Sequence, residues 1–195
     1  MIYHRSAGRS SRLPLICAAV ALVVCGCSGG GSGSDPVTCT NLSFDRALAT
    51  PAGGDVYLDQ AGGTCSTIDI AVLVNNLTGI WSVSFDISYP TGLLTYQSYT
   101  LGPLLQKGAP LYPPVVVVKT SGNDVQVTMT RFGSDPPVGA TGSESLITLS
   151  FARVAAGSSA IDFDTGGISD IILDDNGIAR PAVFGPGHGG MVVVP

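Results

Sequence analysis

Charge is scarce in this chain: only 12% of its 195 residues are Asp, Glu, Lys or Arg, and just nine of those are basic. Nine cations against fourteen acids cannot make the basic face that a phosphate backbone requires, so a nucleic-acid partner is excluded. Histidine occurs twice, and beyond the first few residues His188 stands alone, in Gly187-His188-Gly189-Gly190. A Ser-His-Asp or Cys-His centre needs a histidine beside a nucleophile and an orienting acid, and a glycine-set histidine near the end reads as a loop residue instead. No G-x-S-x-G, H-E-x-x-H or Walker pattern occurs. Glutamate is nearly absent: Glu144 is single, and the other thirteen acids are aspartates. Aspartate favours turns where glutamate favours helices, so the imbalance points away from a helical protein. There is no internal repeat. No apolar run approaches the roughly 20 residues of a membrane-spanning helix.

Glycine (26) and proline (13) are abundant, and 45% of residues are apolar. That combination suits many short strands joined by turns. The first 26 residues have the form of a secretion signal: Arg5, Arg9 and Arg12, then an uncharged stretch over residues 13–24. Val24-Cys25-Gly26-Cys27 resembles the lipobox of bacterial lipoproteins. The resemblance implies diacylglyceryl transfer to the Cys27 thiol, cleavage before Cys27 and acylation of the new amine, an anchor of two or three acyl chains. Residues 27–36 then hold the lipidated cysteine and a Gly/Ser tether, SGGGSGS, and residues 37–195 form the folded domain. Ser28 after the lipid cysteine resembles an outer-membrane sorting signal. The expected address is the bacterial cell envelope, on the outer rather than the inner membrane of a Gram-negative cell, with the domain in the periplasm or outside. Removing residues 1–26 leaves six basic against fourteen acidic residues, a net charge of −8. Cys39 and Cys65 are then an even pair in an oxidising compartment, expected as a disulfide.

Within the domain, alternation marks strands. In TIDIAVLVN (67–75), Ile68, Ile70, Val72 and Val74 share one parity. Over residues 80–89, Trp81, Val83, Phe85, Ile87 and Tyr89 face one way and Ser82, Ser84, Asp86 and Ser88 the other, which assigns Trp81 to the core. Val125, Val127 and Met129 alternate with Gln126, Thr128 and Thr130 after the turn Ser121-Gly122-Asn123-Asp124, predicting a hairpin with residues 115–119. Further strands are read near residues 56–58, 93–98, 147–151, 161–163, 168–173 and 191–194. The proline-rich connection 101–114 holds one helical turn at Leu104-Leu105-Gln106. Nine or ten short strands and no long helix predict an all-β, two-sheet antiparallel sandwich.

The order of these pieces resembles a cohesin domain. The stretch IDIAVLVNNLTGIWSVSFDISYPTGLLTYQS is similar to its front half, with Phe85, Ile87, Tyr89 and Pro90 in the F-x-[IL]-x-Y-D-P pattern and Leu93 or Leu94 opening the next strand. LITLSFARVAAGSSAIDFD and the closing GGMVVV are similar to its later strands. The aspartate of Y-D-P is missing here, and residues 39–55 are an addition to the usual domain. The resemblance implies a jelly-roll sandwich, a non-catalytic role, no cofactor, and a dockerin-like protein partner in a polysaccharide-related or envelope assembly. It places the partner on the sheet centred on residues 80–88, through Ser82, Ser84, Asp86 and Ser88, with Gln126, Thr128 and Thr130 beside them.

Two other functions compete. A carbohydrate-binding module of the same superfamily wants two or three coplanar exposed aromatics, for which Tyr57, Tyr96, Tyr99 and Tyr112 are candidates. A structural subunit of an envelope complex would use the sheet only for packing. Paired carboxylates suited to glycoside hydrolysis (Asp162/Asp164, Asp174/Asp175) lie in or beside turns, where aspartate serves the backbone. Asp170, Asp174, Asp175 and Asn176 are the oxygen ligands that a calcium ion would find in one loop, without the D-x-D-x-D-G spacing.

Overall fold

A computed structural model describes residues 39–164 and 170–195; the expected leader, Cys27 and the Gly/Ser tether lie outside the described residues. The strands are β1 (Ser43–Arg46), β2 (Val56–Gly63), β3 (Thr67–Asn75), β4 (Ser82–Ser88), β5 (Leu94–Leu101), β6 (Val115–Ser121), β7 (Asp124–Thr130), β8 (Ser143–Arg153), β9 (Gly157–Phe163), β10 (Ile171–Leu173) and β11 (Gly190–Val194). Seven make one sheet in the order β1-β11-β9-β4-β7-β6, with β10 pairing β4 beside β9; four make the other, in the order β2-β3-β8-β5. All strand pairs are antiparallel. This is the two-sheet sandwich that the alternation predicts, with eleven strands among the described residues rather than nine or ten. β1 is the strand that the pattern did not mark, because four residues are too few to display a period.

The inward parity of each strand fills the space between the sheets. Ile68, Ile70, Val72 and Val74 of β3 meet Val83, Phe85 and Ile87 of β4, Val125, Val127 and Met129 of β7, and Ile147, Leu149 and Phe151 of β8 in one buried cluster. Trp81 departs from its expected place in the core. Ile80 takes the inward position by bridging to Val138, and the alternation restarts at Val83. The half-buried indole sits at the rim, where its Nε1–H donates to the Asp135 carbonyl at 3.3 Å. A ring N–H that needs an acceptor is better served there than among aliphatics.

Two devices hold the long connections. Cys39 and Cys65 are bridged, with Cα atoms 5.6 Å apart, which fastens the added N-terminal segment to the β2–β3 turn. Arg131, 1% exposed, donates from Nη1 to the carbonyls of Leu105 (2.5 Å) and Lys107 (3.0 Å). It thereby pins the connection from β5 to β6 around the 3-10 turn Leu104–Gln106, the helical turn expected there. Gly190 lies between β1 and β9, where a Cβ would run into the Asp45 carbonyl and the Phe44 ring. No helix among the described residues is long and apolar enough to cross a membrane.

Candidate functional site

β4 lies inside the seven-stranded sheet, hydrogen-bonded to β7 on one edge and to β9 and β10 on the other. Its non-core side chains therefore sit mid-sheet on the outer surface. The registers set four rows across this face: Ser82–Thr130–Val115, Ser84–Thr128–Val117, Asp86–Gln126–Lys119 and Ser88–Asp124–Ser121. The structure thus brings Ser82, Ser84, Asp86 and Ser88 together with Gln126, Thr128 and Thr130, the strand pairing that the cohesin resemblance implies. The short side chains are tied down. Ser84 and Thr128 hydroxyls lie 3.1 Å apart, Ser82 donates to the Met129 carbonyl at 3.1 Å, and Asn123 donates to Ser88 at 2.8 Å. Towards β6 the face turns apolar: Val115 and Val117 are 45% and 46% exposed. Just beyond that end, Tyr112 and Phe132 form an exposed edge-to-face pair with centroids 5.7 Å apart.

Asp86 differs from its serine neighbours. It is only 9% exposed, far from the solvated residue that a polar outward position suggests. Two further aspartates meet its backbone. Asp170 accepts the Asp86 amide on Oδ1 at 3.3 Å, and the Asp164 amide donates to the Asp86 carbonyl at 2.9 Å. Burial pushes the Asp170 carboxyl up to about 6; the Asp86 amide works against that rise, and the charges of Asp86 and Asp164 add to it. Sequence reasoning placed Asp170 in a turn with Asp174 and missed this grouping. The grouping depends on β9 and β10 sharing one edge of β4, which no local pattern in the sequence announces.

The other candidate groups serve the backbone. Asp162 accepts the amides of Phe163 (2.9 Å) and Gly187 (3.3 Å). Asp174 Oδ1 accepts those of Asn176 and Ile178, both at 2.9 Å, so it closes its turn, while Asp170 faces β4 instead. No three His, Cys, Asp or Glu residues among those described are placed to hold a metal ion. His188 contacts the Val183 carbonyl through Nδ1 at 2.9 Å and lies 4.0 Å from Asp55 through Nε2; among the described residues no hydroxyl or thiol hydrogen-bonds to it. The four tyrosines do not form a row: Tyr57 is buried, Tyr96 packs edge-on against Phe151, Tyr112 packs on Phe132 in the connection from β5 to β6, and Tyr99 is exposed on β5.

No protein-family profile matches the sequence, and no curated protein is detectably similar to it. Solved structures do match. A type II cohesin domain from the cellulosome of Acetivibrio cellulolyticus superposes with a TM-score of 0.55 at 11% identity, over 73% of this chain and 94% of that one. The sixth cohesin of scaffoldin B from the same organism, solved with a Cel5 dockerin, gives 0.55 at 15% identity over 72% and 97%. CaCohA2 from Clostridium acetobutylicum gives 0.52 at 21% over 73% and 92%. The domain has the cohesin jelly-roll fold.

Proposed function

We propose that this is a non-catalytic, protein-binding module that docks a dockerin-like partner on the outer face of its seven-stranded sheet. The observation that carries the reading is the make-up of that face. Short, tied-down polar side chains desolvate cheaply, and exposed Val115, Val117, Tyr112 and Phe132 supply apolar anchorage at one end. Structural neighbours with TM-scores above 0.5 are solved in complex with dockerins. The sugar-binding alternative lacks its aromatic platform among the tyrosines considered. Cys27 carries the lipid and the Gly/Ser tether holds the domain away from an envelope membrane.

The test uses the full chain against a panel of immobilised dockerin modules. Thr128→Arg on the seven-stranded face is expected to weaken capture by about a hundredfold, the effect of a charge forced into an interface centre. Thr95→Arg on the outer face of the four-stranded sheet is expected to leave capture unchanged. Equal behaviour of the two variants overturns the reading. Cys27→Ala is expected to abolish partitioning into the detergent phase while the domain stays folded; unchanged partitioning overturns the anchor.

A further inference from the structure

Each sheet ends on two strands, β1 and β6 in one and β2 and β5 in the other, and three of these edges are guarded. β1 is four residues long, and its outward Phe44 amide donates to Gln60 Oε1 at 2.9 Å. β2 gives the Val56 and Leu58 amides on its free side to the carbonyls of Val183 and His188, at 2.9 and 2.8 Å, and its register shifts between Gln60 and Gly62. β5 is bulged between Tyr96 and Ser98. β6 has none of these devices. It runs seven residues, Val-Val-Val-Val-Lys-Thr-Ser, in unbroken register with β7 and with no proline inside it. The turn Gly122–Asn123 makes Ser121 and Asp124 a hydrogen-bonded pair, so Lys119, Val117 and Val115 also exchange their bonds with β7. The N–H and C=O groups of Val116, Val118 and Thr120 therefore point off the edge of the sheet, and they have no partner among the described residues.

We propose that β6 is a pairing edge for a second copy of this chain, antiparallel and two-fold symmetric, with Val117 of each copy on the axis. That register sets Val116 opposite Val118 of the second copy, and the reverse, so the outward amides and carbonyls of these valines all find complements. The Thr120 amide meets the carbonyl of Pro114, which has no N–H to leave unpaired. Val116 and Val118, half-buried at the rim of the core, are covered by their counterparts. Charge favours the same arrangement. Residues 87–123 contain no acid in a chain with fourteen, so two copies approach here with the least repulsion. Lys119, the one charge on the edge, does not face itself: it stands opposite Val115 of the second copy. At that end the Leu111 amide donates to Asp135 at 3.2 Å and the Tyr112–Phe132 pair lies exposed, an acid and two rings that suit an ammonium. The pairing uses the edge of the sheet and does not depend on what docks on its face.

The full chain, with Cys17, Cys25 and Cys27 replaced by alanine so that only the bridged pair remains, is sedimented over a range of concentrations. Its mass is expected to rise from monomer to dimer and no further, because two-fold pairing uses up the edge. Val118→Pro removes an outward N–H, spares the bonds to β7, and is expected to abolish the dimer. Val117→Lys sets like charges face to face on the axis; it is expected to weaken the dimer about tenfold while urea unfolding shows the fold kept. If Val118→Pro does not fold, Val117→Lys decides. Thr95→Lys puts the same charge on an exposed position of β5 and is expected to change nothing. On mild oxidation Val117→Cys is expected to join two chains by a disulfide, since residues of a non-hydrogen-bonded pair bring their side chains close; Thr95→Cys is expected not to. A chain that stays monomeric up to about 1 mM, a dimer indifferent to both β6 variants, or cross-linking through Thr95→Cys in place of Val117→Cys overturns the pairing. The docking reading fails separately. A monomer whose dockerin capture is lost in Thr128→Arg keeps the face and loses the edge; a dimer whose capture ignores Thr128→Arg keeps the edge and loses the face.

Discussion

Asn75 and Asp86 are the same kind of residue in the two sheets: a polar side chain on the outer parity of a central strand, 8% and 9% exposed. Their surroundings are opposite. Asn75 donates to the carbonyls of Pro51 (2.9 Å) and Ala52 (3.0 Å) and accepts from Ser143 at 3.4 Å. The same face of the four-stranded sheet has Tyr57 under the Arg46 guanidinium, Arg46 paired to Asp59 at 2.8 Å and Ser150 donating to Asp69 at 2.5 Å. The segment after β1 wraps this face and answers its polar groups from within the chain. Among the described residues no side chain pairs with the Asp86 carboxylate; its backbone alone is bonded, to Asp170 and Asp164. One face is covered in part by the protein's own added segment, while the other presents Val115, Val117, Gln126 and Thr128 to solvent.

If the closed face depends on the added segment, loosening that segment should damage one face alone. Replacing Cys39 and Cys65 by serine opens a constraint spanning 26 residues and is expected to cost about 3 kcal/mol in urea unfolding. Amides of β2 and β3 near Asn75 should exchange faster with solvent, and those of β4 and β7 should not. Uniform loss of protection would break the comparison. A smaller local version is Asn75→Ala, which removes the side-chain donor from the Pro51 carbonyl and leaves the Ala52 carbonyl with the Asp55 amide alone, at an expected cost of about 1 kcal/mol. Restoration of stability by Asn75→Asp would contradict the donor role, because a carboxylate has no proton to give.

Most of the architecture was legible because alternation is a physical consequence of the pleat. Ile68, Ile70, Val72 and Val74, or Val83, Phe85 and Ile87, announce a strand and its buried side together. The disulfide followed from there being two cysteines left to pair. What escaped needed the third dimension. Trp81 has core parity, but the bridge from Ile80 to Val138 joins residues 58 positions apart and shifts the inward position. The hydrogen bond from the Asp86 amide to Asp170, 84 residues on, depends on β9 and β10 sharing one edge of β4. Parity tells which way a side chain points, but not what stands in front of it. Arg131 was invisible for the same reason: its acceptors are carbonyls in a connection whose path no local pattern fixes.

The sharpest form of the comparison uses a substitution with opposite sign on the open face. Asp170 titrates near 6 in the folded protein, above the ordinary aspartate value of 3.8, because it is desolvated and faces Asp86 and Asp164. The folded state therefore holds a proton that the unfolded chain has already released between about pH 4 and 6. Stability from this group is present at the acid end, falls as pH rises through that window, and stays reduced at pH 7. Asp170→Asn keeps an oxygen for the Asp86 amide and removes the charge. It should raise stability at pH 7 by about 1 kcal/mol, a figure held down because solvent screens a half-exposed group. At pH 4 the gain should vanish, since the wild-type carboxyl is then protonated. Thermal unfolding of both proteins at the two pH values measures this directly. A variant less stable than wild type at pH 7 would mean that the carboxylate gains more from its amide than it loses to its neighbours, and the open face would then carry no uncompensated charge.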